Sequence, residues 1–408
     1  MALALMASGA AVLTWIDLLG RVVVPSMVAG LYPTSAYWVA PRLVLQGRSS
    51  LLYDVRVFPE AARVLGGNGD VWVSDPPMSV LQLLPLGALS QDVAFSAWTL
   101  GSLAALVAAV VLALRALSVP SPWSLVVFAV LPLFHPVQSD FATGQIYHYL
   151  LLALVGSEAA WLRDRPWVSG FAVAAATLVK FFFGAVASGT ALLLGRTRVF
   201  VVAALALLSV AALVTFLLGP ERWSEWIAVA AQRSTGGEST VTAYQTLNSL
   251  FGHLLRYDAV WNPEPVANVP AAAAALWAAS VIGIAVVTAI AARGVRDLGT
   301  LLPLALLMPA TLLVAPVAED QHFVLLIPSL LIATALLWRD NRTARLGWIA
   351  LAAAIALLAP AWPYNRQGVE GWSTLLFYPR VYGTLTLWGL VTWLALHGSR
   401  AEPQRVGS

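Results

Sequence analysis

Residues 196–220 read "RTRVFVVAALALLSVAALVTFLLGP". Two arginines precede a run that carries no ionisable side chain before Glu221. A helix rises about 1.5 Å per residue, so residues 198–219 match the roughly 30 Å hydrocarbon core of a bilayer. A helix that is apolar on every face belongs in a membrane or a deep core, not at a water surface. The stretch reads as a membrane helix, with Arg196 and Arg198 marking one end.

The rest of the chain follows the same pattern. Of 408 residues, 60% are hydrophobic and 11% charged, against about 25% charged in soluble domains. Mean hydropathy is +0.80. Apolar segments recur near 4–30, 78–90, 92–115, 121–137, 145–162, 166–195, 270–292, 299–316, 322–338, 346–361 and 379–397. The expected fold is all-α: a polytopic integral membrane protein of about eleven to thirteen membrane segments, forming one domain over 1–408. The 166–195 stretch fits two short helices or one tilted one. The N-terminus has no basic region before its apolar run, so it is read as a retained first helix. In it Asp17 and Arg21 share a face.

Arginines cluster at segment ends: Arg163 and Arg165, Arg196 and Arg198, Arg293 and Arg296, Arg339 with Arg342 and Arg345, and Arg400 with Arg405. The positive-inside rule places these short loops in the cytoplasm. The long polar loops 31–77, 220–269 and 362–378 then fall outside. The parity fails in the first half unless 78–90 is re-entrant or only partly inserted. Residues 35–46, 57–65 and 240–257 alternate as amphipathic helices lying in the interface would. Net charge is +3, from 23 basic and 20 acidic residues, with no cysteine. Disulfides and thiolate metal sites are excluded, and nothing suggests nucleic acid.

A few polar residues interrupt the oil. Lys180, the sole lysine, lies within 166–195. A membrane-embedded lysine faces a cavity or an anion, or snorkels from a helix end. "VAEDQHFVLLIPSLL" (317–331) sets Glu319, Asp320 and His322 at the start of an apolar run. Two acids beside a histidine favour its charged form; the alternative is an interfacial cap.

Six stretches in order carry a resemblance: Tyr37-Trp38 with "QGRSSLLYD" (46–54), "DPPMSVLQLLPL" (75–86), "TGQIYHYLLLAL" (143–154), "GFAVAAATLVKFFF" (170–183), "YQTLNSLFGHLLR" (244–256) and "APVAEDQHFVLLIPSLL" (315–331). Together they resemble the polyprenyl-phosphate-dependent hexosyltransferases of glycosyltransferase family 87, which include mycobacterial mannosyltransferases. The resemblance implies a GT-C bundle in a bacterial cell membrane. It implies inverting transfer of a sugar, mannose or a relative, from a polyprenyl-phosphate donor to a lipid or glycan acceptor on the outer face, without cofactor or obligatory metal. Such chemistry needs a carboxylate base and cations for the departing phosphate.

Family members usually carry an Asp just before the aromatic pair. Here the sequence is "GLYPTSAYW" (30–38), with no acid between Asp17 and Asp54. The base is therefore open among Asp54, Asp75 and Asp320, with Asp70 in the same loop as the first two. Lys180 and His322 are expected on the phosphate. Tyr37, Trp38, Gln145, Asn248, Arg256 and Glu319 are expected to bind substrate. A flippase of lipid-linked sugars and an inactive lipid-binding relative are the competing readings.

Overall fold

The computed structural model describes residues 2–29, 32–66, 73–235, 237–295, 301–339, 344–364 and 369–398. Asp70, Arg296, Arg342, Arg400 and Arg405 lie outside them. Every named element is a helix. The N-terminal helix α1, Ala2–Leu18, continues through a π-helical stretch to Ala29. Asp17 and Arg21 pair there at 2.6 Å.

Four helices of the first third do not span. These are α2 (Tyr32–Leu45), α3 (Val57–Val64), α4 (Pro77–Gln82) and α5 (Leu84–Ala88). The 78–90 segment is thus two short helices broken at Leu83. It returns to the end from which it started: Arg42 of α2 donates to the carbonyls of Gly87 and Leu89. Gly87 is required at this crossing, because a Cβ there would lie 2.6 Å from the Arg42 backbone nitrogen. Neither short helix is long enough to cross a bilayer by itself.

Beyond it the chain runs away from and back to one end of the bundle in turn. The outward and return helices are α6 (Gln91–Ala116), then α7 (Ser121–Val130) with α8 (His135–Thr143), α9 (Tyr147–Trp161), α10 (Pro166–Val179), α11 (Phe181–Leu193) and α12 (Thr197–Leu218). The loop helices α13 (Glu221–Thr235) and α14 (Leu247–Leu255) follow. The last third contains α15 (Pro270–Val295), α16 (Leu302–Val314), α17 (Ile327–Arg339), α18 (Ala344–Leu358) and α19 (Pro379–Gly398).

Among the described residues, five helices are long and apolar enough to cross a membrane, or six if the pair bent by 55° around Phe134 is one span. Fewer segments reach spanning length than the sequence led us to expect, because several are broken. The 166–195 run divides at Lys180, whose backbone is extended between α10 and α11. The break frees backbone groups that lipid cannot satisfy. Helix α4 supplies partners: Ser79 Oγ and Gln82 Nε2 donate to the Leu178 carbonyl at 2.5 and 2.9 Å. The two half-helices then fold tightly, since a Cβ on Gly184 would sit 2.2 Å from the Thr177 backbone.

Two of the amphipathic stretches are not surface helices. In α2, Trp38, Val39 and Leu43 are buried under neighbouring helices, and in α14 both Leu250 and the polar Ser249 are buried. Their apolar faces meet protein rather than lipid. Arg196 is also not a free end-marker. It pairs bidentately with Glu158 at 2.5 and 2.7 Å, and its guanidinium lies 4.8 Å from the Trp161 ring. This buried pair ties the far ends of α9 and α12 together.

Candidate active site

A cavity of about 1410 Å³ opens at the end of the bundle where the long loops gather. Its wall takes Tyr37 from α2, Asp75 from just before α4 and Ser79 from within it, Gln145 from the turn before α9 and Tyr147 from its first residue, and Lys180 from the break. Glu319, Asp320 and His322 come from the turn before α17. Seven of the twelve positions singled out by sequence, Asp75 among them, thus share one cavity with Tyr147. Helix α9 is 15 residues long, so Arg163 lies about 20 Å away.

Lys180 Nζ meets both oxygens of Asp75, at 2.8 and 3.1 Å. The two side chains are 16% and 15% exposed, so they face the cavity without being bathed in bulk water. Asp75 is fixed from behind. Tyr53 donates to its backbone carbonyl at 2.8 Å, and Trp226 of α13 donates to the Ser74 carbonyl at 3.1 Å. Burial, helped by the nearby Asp75 charge, pushes the Tyr53 phenol well above its ordinary range. It therefore remains a donor at any physiological pH.

The other two candidate bases behave differently. Asp54 is exposed and outside the cavity wall. Its Oδ1 accepts from the Arg56 and Val57 backbone N–H groups at 2.9 and 3.1 Å, the geometry of a cap on α3. Asp320 lines the cavity, but both its oxygens are engaged. Arg380 Nε donates to Oδ1 at 2.6 Å and His135 Nδ1 lies 3.3 Å from Oδ2. Arg380 is fully buried and also donates to Tyr364 Oη at 2.8 Å, the Pro360 carbonyl at 3.1 Å and the Leu358 carbonyl. Asp320 is the counter-ion of a buried arginine that binds the α18–α19 loop to the cavity. Sequence reasoning passed over Arg380, although an arginine at the second residue of an apolar segment is a signal of a buried pair.

His322 is not the charged group that its two acidic neighbours suggested. The Glu319 backbone N–H donates to its Nδ1 at 3.1 Å. A protonated Nδ1 would face that N–H donor to donor, so the ring is neutral with its proton on Nε2. Nε2 lies 2.5 Å from Tyr147 Oη. Glu319 completes the reciprocal cap by accepting from the His322 backbone, and its Oε2 accepts from Gln321 Nε2 at 2.6 Å. Glu319 fixes the turn and Asp320 pairs with Arg380.

Tyr37 Oη donates to Gln145 Oε1 at 2.9 Å in the cavity wall. Trp38 points away: its Nε1 donates to the Leu89 carbonyl at 3.2 Å, under Arg42. Asn248 Nδ2 donates to the Pro316 carbonyl at 2.9 Å and Arg256 Nη1 to Ser239 Oγ at 3.1 Å. Neither lines the cavity. Asn248 braces the loop that leads to Glu319 and His322, and Arg256 braces the turn at Gly237–Thr240. Asp140, fully buried, accepts from the backbone N–H groups of Tyr147 and His148 at 3.2 and 3.3 Å, and so fixes the first turn of α9.

An all-α membrane bundle with a charged, aromatic-lined cavity at one end has the make-up of an enzyme acting on a substrate at the bilayer surface. Residues 72–316, more than half of the chain, match the profile of glycosyltransferase family 87. The chain belongs to that family and is a membrane glycosyltransferase. The match covers Asp75, Gln145, Tyr147 and Lys180, and it ends before Glu319. No curated protein and no solved structure matches.

Proposed function

We propose that the protein transfers a hexose, with mannose the first candidate, from a polyprenyl-phosphate donor to a lipid or glycan acceptor at the outer face of the cell membrane, with inversion. The observation that carries this is the Asp75–Lys180 pair at a helix break in the cavity wall. It brings together a carboxylate and the sole lysine of the chain, the base and the cation that the chemistry needs. The N-terminal part of α2, where relatives carry their acid, borders the same cavity through Ala36 and Tyr37. Asp75 takes over that role from a different element.

The acceptor hydroxyl attacks C1 as Asp75 removes its proton. The new C–O bond forms on the face opposite the phosphate, and the old C1–O bond breaks with its electron pair leaving on the polyprenyl phosphate. The donor is a phosphodiester with one negative charge and the product a monoester with nearly two. Lys180 is therefore drawn more strongly to the phosphate as the bond breaks, which favours the transition state over the bound donor. Its move from Asp75 frees the carboxylate. The lipid fits the apolar side of the cavity, which Phe181, Phe182 and Trp226 line.

The test is transfer of label from polyprenyl-phosphate [14C]mannose, and then from other polyprenyl-linked sugars, to a membrane lipid extract by purified protein. Label in the acceptor fraction supports the reading. Binding of the donor without transfer of any sugar would leave the inactive lipid binder, and movement of intact donor across vesicles would leave the flippase.

A further inference from the structure

We infer that Tyr147 is a second donor to the donor phosphate, with its hydroxyl proton released for that bond by His322. The inference rests on the polyprenyl-phosphate reading and adds to it a residue outside the Lys180–His322 pair.

The orientation follows from one backbone hydrogen bond. Glu319 N–H occupies His322 Nδ1, which puts the imidazole proton on Nε2. That proton faces Tyr147 Oη at 2.5 Å. Two donors cannot point at each other, so His322 donates and the phenol oxygen accepts. The phenol's own proton must then turn elsewhere. Among the described residues no other side chain or carbonyl takes it: the bond with His322 is the one that Tyr147 Oη makes there. The residue lines the cavity, so the proton is left for a ligand.

Position makes that ligand an anion. Lys180 Nζ lies 5.8 Å from the centre of the Tyr147 ring. A phosphate drawn to the ammonium therefore comes within reach of the phenol. The ring is held against movement by three contacts. It packs on His322 at 4.2 Å between centroids and on Phe183 at 6.2 Å, and Asp140 holds its backbone N–H. His322 thus acts through Tyr147: it is a positioning residue, and its own ring nitrogens are both occupied.

The test uses farnesyl phosphate as probe and farnesol as its uncharged control, with binding measured calorimetrically to the full-length protein in detergent. Tyr147→Phe keeps the ring and removes only the hydroxyl. Loss of one hydrogen bond to a charged group is expected to weaken farnesyl phosphate binding about ten- to a hundredfold, with farnesol binding unchanged. Equal binding of farnesyl phosphate by wild type and Tyr147→Phe would overturn the inference, as would equal weakening toward both probes, which would mean a packing role. Absence of farnesyl phosphate binding by the wild type would sink the phosphate reading itself. If the phenylalanine variant does not fold, 3-fluorotyrosine at position 147 keeps the hydroxyl and makes it a stronger donor. Tighter farnesyl phosphate binding is then expected, and unchanged or weaker binding would overturn the proposal.

Discussion

Replacing Asp75 and Asp320 separately by asparagine distinguishes a base from a counter-ion. Asn is nearly isosteric with Asp but cannot take a proton. At position 75 it leaves Lys180 without its partner, in a site where the lysine is 16% exposed and adjoins a cavity. Exposed pairs contribute at most about 1 kcal/mol and breaking a buried one costs about 3–5 kcal/mol, so an intermediate cost of about 1–2 kcal/mol is expected. The loss of rate should be far larger: a general base contributes about 10²–10⁴-fold. At position 320 the balance reverses. Arg380 has no exposure and loses its carboxylate partner at 2.6 Å. That leaves an uncompensated buried charge, at about 3–5 kcal/mol. The assay pairs initial rates of label transfer with thermal unfolding of the same detergent preparations. Asp75→Asn should be nearly as stable as wild type and almost inactive. Asp320→Asn should unfold earlier, and the fraction still folded should retain activity within about tenfold. A stable, inactive Asp320→Asn beside an active Asp75→Asn would refute the assignment of roles.

Further outcomes follow from the same geometry. Lys180→Met keeps the stem and removes the charge, so it should cut kcat/KM for the donor about a hundredfold or more while Asp54→Ala leaves it unchanged; steady-state kinetics on both variants checks this. Gly184→Val places side-chain atoms against the Thr177 backbone, 2.2 Å from the Cβ position, and should cost stability by an amount typical of overpacking, about 1–3 kcal/mol or more, read as a lower melting temperature. Single cysteines at Arg56 and Glu264, both exposed on the cavity side, should react with an impermeant thiol reagent on intact cells, and one at Asp164 only after permeabilisation; the reverse pattern would invert the orientation. Burial holds His253 below its ordinary value of 6.5. The folded state then binds its proton less readily than the unfolded chain, so stability falls as pH drops below about 6.5. Wild type should lose more stability than His253→Gln between pH 7 and pH 5, measured by thermal unfolding.

The membrane class and the helical fold were legible because burial in lipid imposes one rule on every span, and runs such as 198–219 obey it. The broken spans were partly legible. Lys180 marked its break because no lysine sits mid-span without a reason, whereas the break at Leu83 carries no such residue and showed only as a parity error. The cavity's chemistry was readable down to residue type and not to role. Asp54, Asp75 and Asp320 look alike in sequence. They differ in what lies across from them: a helix N-terminus, a lysine from 105 positions away and an arginine from 60 away. Those partners are set by packing, which local pattern does not encode. Trp38, Asn248 and Arg256 have donors that suit a substrate, and those donors are spent on backbone carbonyls or a serine that position the loops.

The turn at residues 319–322 shows why composition misled. Two acids next to a histidine imply an imidazolium only if carboxylate oxygens reach the ring. Here the chain folds into a tight 3-10 turn over Asp320–Leu326, and the ring nitrogen meets a backbone N–H before it meets either acid. Glu319 accepts from the backbone, Asp320 turns out to Arg380, and the ring remains neutral. A neutral His322 is a weak phosphate ligand but a firm donor to a phenol. Balancing the negative charge of the departing phosphate then falls to Lys180, with Tyr147 as a neutral second donor. This division makes a prediction about exchange: His322→Lys, which restores the charge that the sequence suggested, should not rescue Lys180→Met, because the new ammonium would point at Tyr147 and leave its proton arrangement changed. Rescue of donor turnover to within about tenfold of wild type in the double variant would show that His322 itself meets the phosphate.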